Sequence, residues 1–424
     1  MSRCDVAIVG AGAAGLAAAI AARRASDLDV VLFEGAKAPG AKILVSGGSR
    51  CNVTNVEVTE ADFSGGTPAL IRRVLRAWTT EDTVGWFRDL GVALHEEPGG
   101  KLFPDSNRAR DVVTALLRET GDSGVSLRAG TRVQSIDRTP DGFVLETSAG
   151  PCSARAVVLA TGGLSLPKTG SDGWGYDAAR RLGHTIVPTT PALAPMVVGG
   201  PQLDFCRRLS GVSLRARLDL RVSGRVARSI DGSLLWTHFG ISGPAALDLS
   251  RHWHRARLDA EDAVAVTVSS CPESSFESLE AHWLTLARDR PKTRVHTAVS
   301  TAVPDSMAQA LTEALGVDGE TSLADLSRDV RRRIIHALTD WPLVVDNSRG
   351  YNYAEVTAGG VDLGEVDMRS MASRVCQGLY LVGEVLDVDG RLGGFNFQWA
   401  WATAHIAGRA LARDLRPSSF PMPK

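Results

Sequence analysis

The sequence predicts an α/β fold, and three observations predict it. Residues 6–9 are an apolar strand run that leads into Gly10-Ala11-Gly12-Ala13-Ala14-Gly15, an alanine-rich helix to about Ala25, and a second apolar run, 30–33, closed by Glu34. Two later buried-strand runs, 156–160 and 379–382, also end in glycines, at Thr161-Gly162-Gly163 and at Gly383. Between them, Pro188, Pro191, Pro195 and Pro201 punctuate the entry to an inserted region, so the first domain is discontinuous.

The opening stretch is a βαβ unit of Rossmann-like form. Gly10 permits the sharp strand-to-helix turn, Gly12 lets a pyrophosphate approach the backbone, and Gly15 lets the helix pack closely on the strand. The helix N-terminus at Ala13 and Ala14 then presents free N–H groups to phosphate. Glu34 lies 19 residues beyond Gly15, where a carboxylate accepts hydrogen bonds from a ribose.

Composition bounds the rest. At 424 residues, two or three domains are expected. The balance of 47 basic and 48 acidic residues, net −1, offers no global attraction for nucleic acid or an anionic membrane, and no basic, aromatic-interleaved patch is evident. No nucleic-acid partner is expected. The six cysteines lack CxxC or zinc spacing, which fits reduced cytosolic thiols, and no metal site is expected. The uncharged run 6–22 has 17 residues where a membrane span needs ~20, and it carries the fingerprint glycines, so the chain reads as cytoplasmic with no membrane contact.

After Glu34 comes a loop of small residues and short polar side chains, from Lys37 through Ala41, Lys42, Ser46, Gly47, Gly48, Ser49, Arg50, Cys51 and Asn52 to Asn55. Such a loop suits a backbone wrapped along an anionic, hydrogen-bonding ligand. Residues 68–120 read as helices, with Ile71, Val74, Leu75 and Trp78 on one face, interrupted by a hairpin or bend at 99–104. Residues 125–160 read as strands, a small antiparallel element (125–127, 132–137, 142–147) followed by the buried run 156–160. In the insert, 214–222 and 264–269 alternate as strands, and Leu323, Leu326, Val330, Ile334 and Leu338 form a helical core stripe. Ser242, before Pro244, is placed to cap a helix.

Several of these segments carry a family resemblance. The loop at 40–55 resembles the "G-x-K-x-x-x-SGGGRCN-x-TN" segment of the BaiN-like (YhiN-type) NAD(P)/FAD-dependent oxidoreductases, bacterial flavoproteins that include aminoacetone oxidase family FAD-binding enzymes. Ser49 stands where that segment has a third glycine. Residues 234–244 resemble the family's "L-x-T-H-x-G-x-SGP" segment, and residues 378–396 its "GLY-x-x-GE-x-LD-x-DG-x-x-GGYN" signature, with Phe395 in place of Tyr.

The resemblance implies FAD in a discontinuous domain of the two-dinucleotide-fold type, 1–189 and 346–424, with a substrate or cap domain inserted at 190–345 as barrel-like strands followed by helices. It implies that Ala41, Lys42, Ser46, Gly47, Arg50, Cys51 and Asn52 follow the pyrophosphate toward the flavin, and that the main chain of Val133 meets the adenine. Thr161 and Gly162 then pass the adenosine half, and Glu384, delivered by Gly383, reaches the ribityl hydroxyls. Asp389, Gly394, Phe395, Asn396 and Phe397 bring a helix start to the flavin N1 and C2 carbonyl, where reduction places negative charge. His238 and Thr237, before the turn 240–244, become candidate catalytic residues beside the flavin, since histidine titrates near neutrality and exchanges a proton as hydride moves at N5; the alternative for His238 is a structural histidine hydrogen-bonded inside a domain junction.

The expected activity is FAD-dependent oxidoreduction of a small organic substrate. Two rivals lie within the class, an aminoacetone-type amine oxidase using oxygen and a reductase of an activated alkene. From another class comes a flavin-binding RNA-modification or regulatory protein. No second glycine fingerprint follows Gly15, so NAD(P)H as electron donor has no dedicated domain and must dock weakly in the substrate cleft. The purified protein is expected to be yellow with bound FAD. A colourless preparation that takes up no FAD on refolding contradicts the assignment.

Overall fold

The computed structural model describes residues 2–260 and 263–415; the last nine residues of the expected second part of the first domain, 416–424, lie outside them. The chain forms two units, Met1–Thr189 with Glu355–Lys424, and Thr190–Ala354. The second unit runs past 345 because the strand Val345–Ser348 pairs with Met196–Val198 of that same unit.

The first unit is built on a nine-stranded sheet. Its centre is parallel: Ser2–Val9 lies between Cys152–Leu159 and Val30–Glu34, flanked by Leu379–Leu381 on one side and Ser126–Ala129 on the other. These strands are apolar along nearly their whole central length because the parallel sheet is covered on both faces. The run at 125–127, expected in the antiparallel element, is instead the outer parallel strand Ser126–Ala129, and the antiparallel hairpin is Val133–Thr139 with Gly142–Thr147. Leu94–Glu97 and Lys101–Pro104 form the hairpin expected near residue 100.

Two helices of this unit pack directly against each other. The alanine-rich helix Ala13–Ala25 is buried over nine consecutive residues, 14–22. It receives the closing helix, Phe395–Asp414, at very short range, for a Cβ on Gly408 would sit 2.5 Å from Ala21 Cβ and 2.7 Å from Ala22 N. Small residues on both helices allow this approach.

The expected irregular loop after Glu34 contains a helical turn. Residues 41–45 are helical, and the chain then leaves the helix at Ser46 (ψ 150°) for left-handed conformations at Gly47, Gly48 and Ser49, with φ of 54°, 68° and 67°. Glycine adopts this region freely, whereas a serine there costs on the order of 1–2 kcal/mol. Ser49 thus takes up the conformation that the missing third glycine would have held.

The second unit is a seven-stranded antiparallel sheet, ordered Trp341–Leu343, Val264–Ser269, Ser213–Val222, Arg225–Thr237, Gly240–Ser242, Met196–Val198 and Val345–Ser348. Its two edge strands are consecutive in the chain, separated by Val344 alone. One residue cannot span an open sheet, so the sheet must curl until its edges meet, and the barrel-like form follows. The helix Pro244–Asp259 packs along the strands Ser213–Val222 and Arg225–Thr237. Its N-cap is Gly243 (φ 85°) with no side-chain cap, while Ser242 ends a strand, so Ser242 does not cap it. Of the expected stripe, only Val330, Ile334 and Leu338 lie on a helix, Arg328–Thr339; Leu323 and Leu326 are buried in the turn before it.

An aromatic cluster fixes the closing helix in the first unit. The His405 ring stacks on Trp78 at 3.6 Å and meets Trp86 edge-on, while its Nδ1–H donates to Trp401 O at 2.8 Å. Burial holds this imidazole neutral, lowering its pKa from 6.5 to about 3. The unfolded chain therefore binds a proton that the folded chain refuses, and stability contributed by His405 falls as pH drops below 6.5 toward 3, by up to ~1.4 kcal/mol per unit. Melting temperature followed from about pH 7 to about pH 4.5 should fall more steeply for the wild type than for His405→Gln. Parallel curves would contradict this account.

Candidate functional site

The fingerprint turn is closed on one side and open on the other. A Cβ on Gly10 (φ 101°) would lie 2.6 Å from Ala160 O, and one on Gly15 only 1.8 Å from Gly10 O, so both glycines are required by packing. At Gly12 a Cβ would meet nothing within 4 Å. That open side adjoins the start of the helix Ala13–Ala25, which has no side-chain cap. Uncapped N–H groups beside open space are the environment that a pyrophosphate takes. Glu34 accepts from Ala11 N–H at 2.9 Å and from Ala36 N–H at 2.8 Å. With four lone-pair sites on the carboxylate, acceptor capacity for ribose hydroxyls remains.

Contacts distant in sequence join this turn to the other predicted segments. A Cβ on Gly383 (φ 74°) would touch Ala14 Cβ at 2.8 Å, and one on Gly394 (φ 95°) would lie 2.5 Å from Thr54 O. The closing helix holds both loops. Trp399 Nε1–H donates to Gly383 O, Gly383 N–H donates to Thr403 Oγ1, Trp401 Nε1–H donates to Val53 O, and Thr54 Oγ1–H donates to Gln398 Oε1. Asn396 bonds Gly390 through both ends of its amide.

A charged network lies among these loops. Lys42 Nζ donates to Glu384 Oε2 at 2.8 Å and to Ser165 Oγ at 2.6 Å, while Glu384 Oε1 accepts from Ser165 Oγ–H at 2.7 Å and Thr357 N–H at 3.0 Å. Sequence reasoning named Lys42 and Glu384 separately and missed Ser165 and Thr357. The only available signal was that each hydroxyl lies near a glycine pair, Gly162-Gly163 or Gly359-Gly360.

The remaining predicted residues divide. Asn52 is 9% exposed and its Oδ1 is buried without a hydrogen-bond partner, a demand that a ligand donor would satisfy. Cys51 is wholly buried and burial pushes its thiol up to about 12, which suits a packed thiol and not a redox partner. Arg50 is taken up by Glu97, Asn107 and the Phe103 ring, and Ser46 by Ile43 O. Phe395 is fully buried edge-on to Phe63, leaving only its backbone to a ligand, and Phe397 stacks on Trp401. Val133 begins its strand beside a register shift, Gly162 holds φ 68°, and Asp389 is buried in a short strand against Phe63–Ser64. Thr161 donates a long 3.4 Å bond to Gly162 O, and Ala41 opens the helical turn that carries Lys42.

In the second unit, His238 occupies the turn between Arg225–Thr237 and Gly240–Ser242. Its ring is exposed and edge-on to Phe239, with no hydrogen bond among the described residues, so it is not the buried, bonded histidine of a structural role. Thr237 donates its hydroxyl proton to Gly240 O at 3.1 Å.

The open turn at Gly12, two uncapped helix starts and the unpartnered Asn52 Oδ1 fit FAD. Lys42→Met removes the countercharge of a half-buried carboxylate and should lower stability by roughly 1–3 kcal/mol. The double variant Lys42→Met/Glu384→Gln should recover part of that loss in thermal melts, and an equal loss in both would contradict the pairing.

Comparison with known proteins places this geometry. The chain is 35% identical over 416 residues, 98% of each chain, to a protein of Escherichia coli K12 named ribosomal RNA dihydrouridine synthase. It is 33% identical over 408 residues, 96% of this chain and 98% of the other, to the 3-dehydro-bile acid delta(4,6)-reductase of Clostridium scindens. Among solved structures, the 3-ketosteroid delta1-dehydrogenase of Sterolibacterium denitrificans shares the fold, with TM-score 0.51, 14% identity, and coverage of 98% of this chain and 100% of that one. Residues 4–410 match the HI0933-like protein Rossmann domain, and the chain belongs to that Rossmann flavoprotein family as an FAD-dependent oxidoreductase.

Proposed function

We propose that the chain reduces a carbon–carbon double bond conjugated to a carbonyl, and that the bond it reduces is in a uracil ring of ribosomal RNA. The observation that carries this reading is the full-length similarity to two relatives whose names denote one bond change. Dihydrouridine arises by saturating an alkene conjugated to a ring carbonyl, and a delta(4,6)-reductase of a 3-dehydro steroid acts on an alkene conjugated to a ketone. The greater identity to the RNA-directed relative favours uridine. Neutral overall charge argues against nucleic acid only as an average over the whole surface, and local charge decides docking.

Reduced FAD, when bound, supplies a hydride from N5 to the alkene carbon remote from the carbonyl. The chain's own residues then have two tasks. The uncapped N-terminus of Phe395–Asp414 favours negative charge close to it. An acid must protonate the carbon beside the carbonyl, and His238 is the freer candidate, since the Thr237 proton is already committed to Gly240 O. The second unit's sheet is antiparallel throughout, so it supplies no second Rossmann-type site, and NAD(P)H is proposed as electron donor through the substrate cleft.

The test is mass-spectrometric analysis of ribosomal RNA from the source organism with and without the gene. Loss of a dihydrouridine on deletion, restored by the wild type, is expected. His238→Ala should restore it ~10² more slowly in vitro, with FAD content and melting temperature near wild type. Unchanged dihydrouridine on deletion would overturn the RNA reading, and undiminished turnover in His238→Ala would overturn the role of that residue.

A further inference from the structure

We infer that the outward face of the helix Pro68–Ala77 is a docking surface for the sugar-phosphate backbone of RNA, an inference that rests on the RNA reading above. The helix is amphipathic, with Ile71, Val74 and Leu75 buried and Arg72, Arg73 and Arg76 exposed. Residues 69, 72, 73 and 76 are spaced i, i+3, i+4 and i+7, so Ala69 and the three arginines share one face. They line an open concavity of about 280 Å³.

The charge on this face is offset only in part by the fold, through Glu60, which binds Arg72 and lies within electrostatic reach of Arg76. The helix contains no Asp or Glu. Arg72 is held by Glu60, but Arg73 and Arg76 donate no hydrogen bond and form no ion pair among the described residues. Many of the chain's other exposed arginines are paired, among them Arg24 with Glu119, Arg132 with Asp172 and Arg217 with Asp231. Like charges three and four residues apart destabilise a helix by a few tenths of a kcal/mol each. An arrangement that costs stability and forms a concave, arginine-lined surface matches an anion carrying several oxygens. Guanidinium groups bind phosphate in bidentate fashion, and neighbouring groups can take successive phosphates of one strand.

The experiment uses the full-length, FAD-loaded protein and protein-free ribosomal RNA, with affinity measured across a salt series. Arg73→Gln/Arg76→Gln leaves the Arg72–Glu60 pair intact. It should weaken rRNA binding at least ~10-fold and reduce the slope of log K against log salt by ~1.4, the single-strand value for two lost phosphate contacts. Arg73→Lys/Arg76→Lys should keep most of the slope, with FAD absorbance unchanged in both variants and melting temperature unchanged in the Lys variant and unchanged or slightly raised in the Gln variant. Equal affinity and slope in the wild type and the Gln variant would overturn the proposal, as would a wild type that binds no rRNA. Competition by polyglutamate as effective as that by RNA would reassign the face to an acidic protein and overturn it as well. If the face binds rRNA while gene deletion leaves dihydrouridine unchanged, the docking surface stands and the reductase reading falls. If deletion removes dihydrouridine while the Gln variant binds as the wild type does, the reverse holds.

Discussion

One ion pair, Lys42 with Glu384, ties together residues 342 positions apart, and the site in the first unit depends on it. With Ser165 and Thr357 it links four chain segments through hydrogen bonds of 2.6 to 3.0 Å. A half-buried carboxylate is costly unless its lone pairs are filled, and here an ammonium, a hydroxyl and a backbone N–H fill them. The chain leaves the first unit near Thr189 and re-enters it at Glu355, so the network also bridges the two halves of a discontinuous domain.

The closing helix supplies the rigidity that this network needs. Its aromatic side chains face the core, yet their ring N–H groups reach out to the loop carbonyls of Val53 and Gly383. Each such tryptophan therefore buries a large apolar surface and positions a loop at the same time. Loops held by side chains of a long, buried helix keep a preformed shape, which suits the binding of a large cofactor. Gly408 lets this helix lie directly against the fingerprint helix, so two helix starts are held on one scaffold.

Fold alone does not decide which substrate such a scaffold serves. Two exposed features lie outside the cofactor loops: a histidine on a turn of the second unit and an arginine-rich helix face on the first. A net charge of −1 conceals the latter, because ion pairing cancels charge over much of the surface and leaves an excess where one carboxylate, Glu60, faces three arginines.

The sequence by itself determined the βαβ opening, a reversal of the chain near residue 100, two strands of the insert (214–222 and 264–269) and the glycine-marked ends of the parallel strands. Each of these is written in local periodicity or in a glycine that only one backbone conformation explains. Tertiary structure alone decided the rest. The partners of Lys42 and Glu384, the burial of Phe395 and Cys51, and the diversion of Arg50 to Glu97 are set by segments far apart in the chain, and local patterns carry no record of them. The closure of the second sheet through Val344 and the passage of residues 346–354 into that unit depend likewise on strand pairing. At Ser242 the local cap signal lost to strand pairing with Leu235, and at Ser49 the packing of a loop imposed a left-handed backbone on a residue whose own preference is otherwise. In each case a non-local contact was stronger than the local preference of ~1 kcal/mol that sequence reading relies on.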